Sequence, residues 1–108
     1  MKSLHTNFVH VVYFWLKNPD DVSDRQEFET SIKKFMQHSK HAKTQFIGKP
    51  AMSDREVVDD SFTYSLIVSF DSKEEQDKYQ KEEVHLEFVA EAQHLWNRVV
   101  VYDSFNVE

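Results

Sequence analysis

The stretch Phe8-Val9-His10-Val11-Val12-Tyr13-Phe14-Trp15-Leu16 decides the fold of this chain. It is rich in β-branched and aromatic residues and is followed by Lys17-Asn18-Pro19, so it predicts a β-strand. Alternate side chains of a strand point to opposite faces. One face carries Phe8, His10, Val12, Phe14 and Leu16, and the other carries Val9, Val11, Tyr13 and Trp15. Both faces are apolar apart from His10, so we expect both to be covered.

The composition argues against several classes of protein. The 108 residues include no cysteine, which excludes a disulfide framework and a thiolate metal site. The net charge of −6, without a basic run, argues against nucleic-acid binding. We expect a single domain over residues 1–108, located in the cytoplasm, because no signal-peptide pattern is evident and the opening strand is too short to span a membrane. No membrane association, cofactor or metal is predicted, since the sequence has no phosphate loop, nucleophile elbow or zinc motif.

The first half of the chain reads as strand, helix, strand, strand. An amphipathic helix is predicted over 24–40, starting at a capping box of Ser23 and Gln26. A polar strand over 43–50 has the lysines and the proline of an edge strand. After a charged loop, the strand over 62–70 alternates regularly between its two faces.

The second half of the chain adds a helical region and a last strand. Ser72 and Glu75 form a second capping box. A polar helix follows, and then a longer helix that reaches Trp96 and a last strand over 98–105. The apolar row of the longer helix consists of Val84, Phe88, Ala92 and Leu95. This order predicts an α+β protein of the ferredoxin-like βαββαβ type, with an antiparallel sheet and the helices on one face.

The sheet face without helices needs another cover. A patch built around Tyr13 and Trp15 would exceed the apolar area that monomers usually expose. We therefore predict a homodimer through this sheet face, in which Val9 and Val11 are also buried against their symmetry mates.

Three polar side chains are predicted to meet between the sheet and the longer helix. His10 lies on the strand face opposite the dimer face, and His85 lies in the apolar stripe of its helix, so both point into one layer. Tyr79 precedes His85 across a predicted break over 80–83 and can fold back over the same space. A pocket there suits a small apolar carbonyl compound, because histidine exchanges protons near neutral pH. The alternative is a pair of structural histidines, hydrogen-bonded to the backbone or to Tyr79.

The chain resembles the stress-responsive dimeric α/β-barrel (Dabb) family along nearly its whole length. The resemblance rests on His10-Val11-Val12-Tyr13-Phe14-Trp15-Leu16, Tyr79-Gln80-Lys81-Glu82-Glu83-Val84-His85-Leu86-Glu87-Phe88 and Val99-Val100-Val101-Tyr102-Asp103. It implies two ferredoxin-like subunits that pair their sheets into one dimeric α/β barrel. The family includes plant stress-responsive proteins, bacterial proteins of unknown role and a polyketide cyclase, olivetolic acid cyclase.

Similarity to the cyclase implies roles for His10, Tyr79 and His85. The counterpart of His85 is that enzyme's general base, and the counterpart of Tyr79 orients the substrate carbonyl. The common late block of the family reads Tyr, two residues, His-Pro, one residue, His, and here Glu82 and Glu83 replace the His-Pro pair. Two functions stay open. One is a lyase- or cyclase-type enzyme with His85 as general base on a carbonyl or polyketide-like substrate, and the other is a non-catalytic, stress-responsive homodimer.

Other titratable residues are weaker candidates. His38 and His41 stand close together at a helix end and could hold a metal ion, but no third ligand is evident. Asp77 with Glu82 and Glu83 could attract a divalent cation, although a charged surface explains these residues as well.

Overall fold

Strand β1, Phe8–Leu16, lies at the centre of the sheet in the computed structural model, which describes residues 4–107. It pairs antiparallel with β3 (Tyr64–Phe70) and β4 (Trp96–Phe105), and β2 (Thr44–Gly48) pairs antiparallel with β3. The order across the sheet is β2-β3-β1-β4, so β2 is an edge strand as predicted. The β1 side chains alternate between buried and half-buried at all nine positions, which confirms the predicted strand. Residues 1–3 and 108 of the predicted domain lie outside the described residues.

The helices pack on one face of this sheet. Within the described residues they are α1 (Val22–His38), α2 (Lys73–Lys81) and α3 (Glu83–Ala92), and a 3-10 turn, Gln93–Leu95, follows α3. The buried core contains Phe8, Val12, Phe14, Leu16, Phe28, Ile32, Phe35, Met36, Leu66, Val68, Phe70 and Phe88. The predicted α+β, ferredoxin-like arrangement is confirmed. None of the helices formed by residues 4–107 is long and apolar enough to cross a lipid bilayer.

The start of α1 differs from the prediction. The N-cap is Asp21 and not Ser23, because the Asp21 carboxylate accepts a hydrogen bond from the main-chain N–H of Asp24 at 2.9 Å. Aspartate and serine are both favoured at this position, so the sequence contains two competing helix starts. The helix also ends at His38, before the predicted end at residue 40.

The start of β3 shows a second difference. A strand over 62–70 that alternates regularly places Phe62 on the same face as Tyr64, but the strand begins only at Tyr64. The Phe62 ring turns to the opposite sheet face, where its centroid lies 4.9 Å from that of Tyr13. The predicted side for Phe62 is therefore wrong. Thr63 still links this segment to β1, since its main-chain N–H donates to the carbonyl of Phe14 at 2.8 Å.

The helical region after β3 has one confirmed and one corrected end. Ser72 caps α2, because its hydroxyl oxygen accepts a hydrogen bond from the main-chain N–H of Glu75 at 3.2 Å. The longer helix stops at Ala92, and Trp96 opens β4 instead of ending the helix. The predicted helix end at Trp96 is therefore wrong.

The break between the last two helices lies at Glu82. This residue ends α2 and precedes α3, with φ −59° and ψ 140°, which are not helical values. The predicted break is confirmed. Tyr79 and His85 consequently belong to two different helices that meet at a bend.

Candidate functional site

His10 lies in the middle of β1, on the helix-covered face, and is 4% exposed. The pairing of β1 with β4 places Asp103 directly opposite. The His10 Nδ1–H donates a hydrogen bond to the Asp103 carboxylate, with 2.5 Å between Nδ1 and Oδ1. The partner is a carboxylate and not the backbone or the phenol of the structural alternative. With Nδ1 bonded in this way, a neutral ring keeps Nε2 as a proton acceptor.

Asp103 is absent from the predicted site. Its side chain shares a strand face with Val101, because the two residues are two positions apart in β4. An acidic residue directly after the apolar run from Val99 to Tyr102, in a strand that pairs with the one carrying His10, is the signal that could have revealed it. The Asp103 side chain is 41% exposed, so its carboxylate connects the buried histidine to the protein surface.

Tyr79 lies in the last turns of α2 and is 1% exposed. Its ring centroid lies 5.8 Å from that of His10, 5.3 Å from that of Phe35 and 5.0 Å from that of Phe70. Burial, together with the negative charge of Glu82, raises the pKa of the Tyr79 phenol. The hydroxyl therefore keeps its proton at neutral pH and is available as a hydrogen-bond donor.

His85 lies in the first turn of α3, on the other side of the bend. Its ring centroid is 5.4 Å from that of Tyr79 and 5.2 Å from that of Phe35. The Nδ1 atom is buried and has no hydrogen-bond partner among the described residues. Burial and the nearby His10 lower the pKa of His85, while the charge of Glu82 acts in the opposite direction. The imidazole is therefore neutral at pH 7 and can accept a proton.

The three predicted site residues form one cluster, with Tyr79 in contact with both histidines. The strand alternation and the bend at Glu82 bring them together. The cluster combines a neutral imidazole, a protonated phenol and a histidine bonded to a carboxylate, which is a set of groups suited to acid–base chemistry. The catalytic role of these residues stays a prediction.

A cavity of about 220 Å³ lies beside Phe35, which contacts Tyr79 and His85, but none of the three site residues is among the residues that line it. The cavity lies between α1 and α3. Its lining consists of Ser31, Lys34, Phe35, His38, Val84, Glu87 and Phe88. The predicted position of the pocket was between the sheet and the longer helix, whereas this cavity lies between two helices.

The remaining candidates have ordinary partners. The His38 Nδ1 lies 2.8 Å from the carbonyl oxygen of Lys34, and the His41 Nδ1 lies 2.6 Å from a carboxylate oxygen of Glu75. The His94 Nε2 lies 2.9 Å from a carboxylate oxygen of Glu27. Within residues 4–107, no group of three or more histidine, aspartate or glutamate side chains is arranged to hold a metal ion.

The fold and the cluster together define a class, a ferredoxin-like α+β domain with two histidines that contact one buried tyrosine. The family model described as the Stress responsive A/B Barrel Domain, Dabb, matches residues 8–106. The chain therefore belongs to the Dabb family. No curated protein sequence matches it.

Several solved structures share this fold. A Dabb family protein with a ferredoxin-like fold from Mesorhizobium loti is 13% identical, with a TM-score of 0.78, and the match covers 96% of this chain and 100% of that chain. A dimeric ferredoxin-like protein of unknown function from Thermobifida fusca is 11% identical, with a TM-score of 0.74 and coverage of 98% and 96%. The hydroxynitrile lyase from Passiflora edulis is 17% identical, with a TM-score of 0.78 and coverage of 95% of each chain. At these identities the similarity shows a common fold alone.

Proposed function

We propose that this protein is a homodimeric enzyme of the lyase or cyclase type, in which His85 is the general base on a small apolar carbonyl compound. The observation that carries the proposal is the buried Nδ1 atom of His85, which has no hydrogen-bond partner in the described part of the chain. A buried polar atom without a partner costs about 1–3 kcal/mol. A buried polar atom without a partner calls for an explanation, and a catalytic role is one of the recognised explanations.

The proposed reaction step is proton removal from the carbon next to the carbonyl group. The C–H bond breaks and its proton goes to an imidazole nitrogen of His85. The C–H electron pair forms the C=C bond of an enolate, and the π pair of the C=O bond moves onto the oxygen. The Tyr79 hydroxyl supports this step, because its raised pKa keeps it a donor toward the developing oxyanion. His10, held by Asp103, provides a second proton acceptor and donor next to Tyr79.

The fold comparison supports the class of reaction. The hydroxynitrile lyase from Passiflora edulis has this fold over nearly its whole length, so the fold can hold lyase chemistry. The identity of the carbonyl substrate stays open, and a cytoplasmic location remains a prediction.

The homodimer is the second part of the proposal. The dimeric protein from Thermobifida fusca has the same fold, which supports an assembly of two copies. We assign the interface to the sheet face opposite the helices, called the outer face below. At the level of Val11, the four strands place one apolar side chain each in a row across the sheet: Phe46, Ile67, Val11 and Tyr102. Phe46 and Tyr102, at the two ends of this row, are 58% and 62% exposed. A stable interface needs about 800 Å² of each partner, and a two-fold axis would pair this apolar face with its own copy.

A non-catalytic role is the second candidate. Tyr79 and His10 are almost completely buried, and Phe35 and Phe70 pack against the Tyr79 ring. A cluster closed in this way would contribute to the core or bind a ligand without turnover. The two candidates differ in whether a small molecule reaches His85.

Deuterium exchange into small ketones tests the proposal. The protein is incubated in D2O with a methyl ketone, and loss of the signal of the protons next to the carbonyl is followed by ¹H NMR. General-base catalysis by a positioned histidine contributes about 100-fold or more. We expect His85→Leu to lose this rate enhancement and Tyr79→Phe to reduce it.

His94→Leu is the matched control, because His94 is an exposed histidine that pairs with Glu27 outside the cluster. It should exchange ketone protons at the wild-type rate. Equal rates for wild type, His94→Leu and His85→Leu would refute the role of His85 as base and favour the non-catalytic candidate.

A further inference from the structure

Glu82 connects the two helices that carry Tyr79 and His85. Its main-chain N–H donates to the carbonyl of Tyr79 at 3.2 Å, and its own carbonyl accepts from the main-chain N–H of His85 at 3.0 Å. Glu82 therefore lies at the bend between the helix that carries Tyr79 and the helix that carries His85.

The Glu82 carboxylate is held in place from another part of the molecule. One oxygen accepts a hydrogen bond from the Ser39 hydroxyl at 2.6 Å, and the other accepts from the main-chain N–H of Lys40 at 2.8 Å. Both donors belong to the segment that follows α1. Because each oxygen accepts its own hydrogen bond, the carboxylate is held in one orientation, unlike a surface carboxylate that only water surrounds.

We infer that Glu82 is a positioning residue of the site. Its clamped carboxylate fixes the bend between α2 and α3 and places a negative charge where it stabilises the imidazolium that forms when His85 takes a proton. This inference rests on the proposed function, because it assigns to Glu82 the support of the base.

The electrostatic surroundings of His85 support this role. The neighbouring elements contribute Tyr79 from α2 and the apolar Phe35 from α1, which contact the His85 ring, and His10 from β1, whose charge acts on it. Burial and His10 both disfavour the protonated form of His85, whereas Glu82 raises the pKa of its imidazole. Asp103 acts on His85 only indirectly, because its carboxylate is hydrogen-bonded to His10. Glu82 is thus the group that favours proton uptake by His85.

An NMR titration of His85 tests the inference without any substrate. Glutamine at position 82 can keep both contacts, since its carbonyl can accept from Lys40 N–H and its amide can donate to the Ser39 hydroxyl. The exchange removes the negative charge alone. In Glu82→Gln we expect His85 to titrate at a lower pH than in wild type, with the folded spectrum preserved, and the pH profile of ketone exchange should move in the same direction.

Ser39→Ala is the matched control, because it removes one hydrogen bond of the clamp and leaves the Glu82 charge. The Lys40 main-chain N–H still holds the carboxylate in this variant, so His85 should titrate near its wild-type pH. Glu82→Asp offers a second test if the glutamine variant does not fold: the charge is retained but withdrawn by one methylene, so titration should again move to lower pH.

An unchanged titration of His85 in Glu82→Gln would overturn the role of Glu82, even if ketone exchange proceeds. A lowered titration with no ketone exchange in the wild type would instead leave Glu82 as the group that tunes His85 and refute the proposed base. The two failures are therefore distinguishable.

Discussion

The two faces of β1 have the same kind of residues and different surroundings. On the helix side, Phe8, Val12 and Phe14 are buried by α1, α3 and neighbouring strands. On the outer face, Val11 and Tyr13 are only half-buried, although they are equally apolar. The strand is apolar on both faces, and the helices of this chain cover only one of them. This difference between the two faces supports the proposed dimer interface on the outer face.

Part of the outer face is covered by the chain itself. The Arg98 guanidinium lies 4.4 Å from the centre of the Trp15 ring, and the Trp15 Nε1–H donates to the Ser61 hydroxyl at 3.1 Å. Phe62 covers one side of Tyr13. The end of the outer face near Trp15 is therefore partly protected, while the level of Val11 remains open. A substitution at Val11 should consequently report on assembly more directly than one at Trp15.

Val12→Asp should have the largest effect. Val12 is 6% exposed and lies between Leu66 and Val101 in the sheet, so an aspartate there would be a buried charge without a partner. We expect a loss of more than about 4 kcal/mol of unfolding free energy, which would leave the chain unfolded at room temperature. Circular dichroism during urea titration would measure it. A cooperative transition close to that of wild type would contradict the helix-side core.

Val11→Asp, one residue away, should act on assembly instead. Its position on the outer face lets the new carboxylate reach water in a single subunit, but not in a sheet-to-sheet dimer. We expect the subunit to stay folded while the dimer dissociation constant rises about 100-fold or more. Sedimentation velocity at micromolar concentration would measure the change, with the nearly isosteric Val11→Thr as the control that should stay dimeric. A wild-type protein that sediments as a monomer would refute the interface.

The fold was predictable because its signals are local and repeated. The alternation from Phe8 to Leu16 and the capping box at Ser72 each depend on neighbouring residues only. Where two local signals compete, as Asp21 and Ser23 do, the sequence does not decide between them. Phe62 shows the other limit, because its side of the sheet depends on a contact with Tyr13 that is distant in sequence.

The candidate site was predictable only in part, for the same reason. His10 and His85 follow from strand alternation and helix periodicity. Asp103 depends on the register between β1 and β4, and that register is set by packing over the whole strand pair. The clamp of Glu82 likewise depends on where the chain runs after α1, which no local pattern indicates.

Asp103→Ala tests the His10–Asp103 hydrogen bond on the helix-covered face. Its effect should be smaller than those of Val12→Asp and Val11→Asp. Loss of the carboxylate leaves the His10 Nδ1–H without its partner in a buried position. We expect a loss of about 1–3 kcal/mol of unfolding free energy, toward the lower end because Asp103 is partly exposed and water can replace it. Thermal melts would measure it. Ser104→Ala, at the exposed neighbouring position, should change stability by less than about 0.5 kcal/mol, and equal effects of the two would argue against the His10–Asp103 bond.

His85→Leu should have the smallest effect on stability, in contrast to Asp103→Ala. Removing His85 leaves no hydrogen bond unmade at Nδ1, because that atom has no partner among residues 4–107. A leucine of similar size should keep the packing against Tyr79 and Phe35. Removal of the unpartnered atom stabilises the protein, whereas loss of the aromatic ring contacts with Tyr79 and Phe35 destabilises it. At pH 7.5 we therefore expect the unfolding free energy to stay within about 1 kcal/mol of wild type.

Lowering the pH should destabilise the wild type more than His85→Leu. Burial and the nearby His10 lower the pKa of His85 from 6.5. Below about pH 6.5, position 85 is therefore protonated to a greater extent in the unfolded chain than in the folded chain. The wild type therefore loses stability as pH falls through this range, and His85→Leu lacks this contribution. Hydrogen bonds from His41 and Lys34 lower the pKa values of Glu75 and Glu91 below 4.5, so the stability that these carboxylates contribute is lost only below this pH range and is the same in both proteins. Melting temperatures at pH 7.5 and 5.5 should fall less in His85→Leu than in wild type. Equal decreases would mean that His85 is as readily protonated in the folded protein as in the unfolded chain.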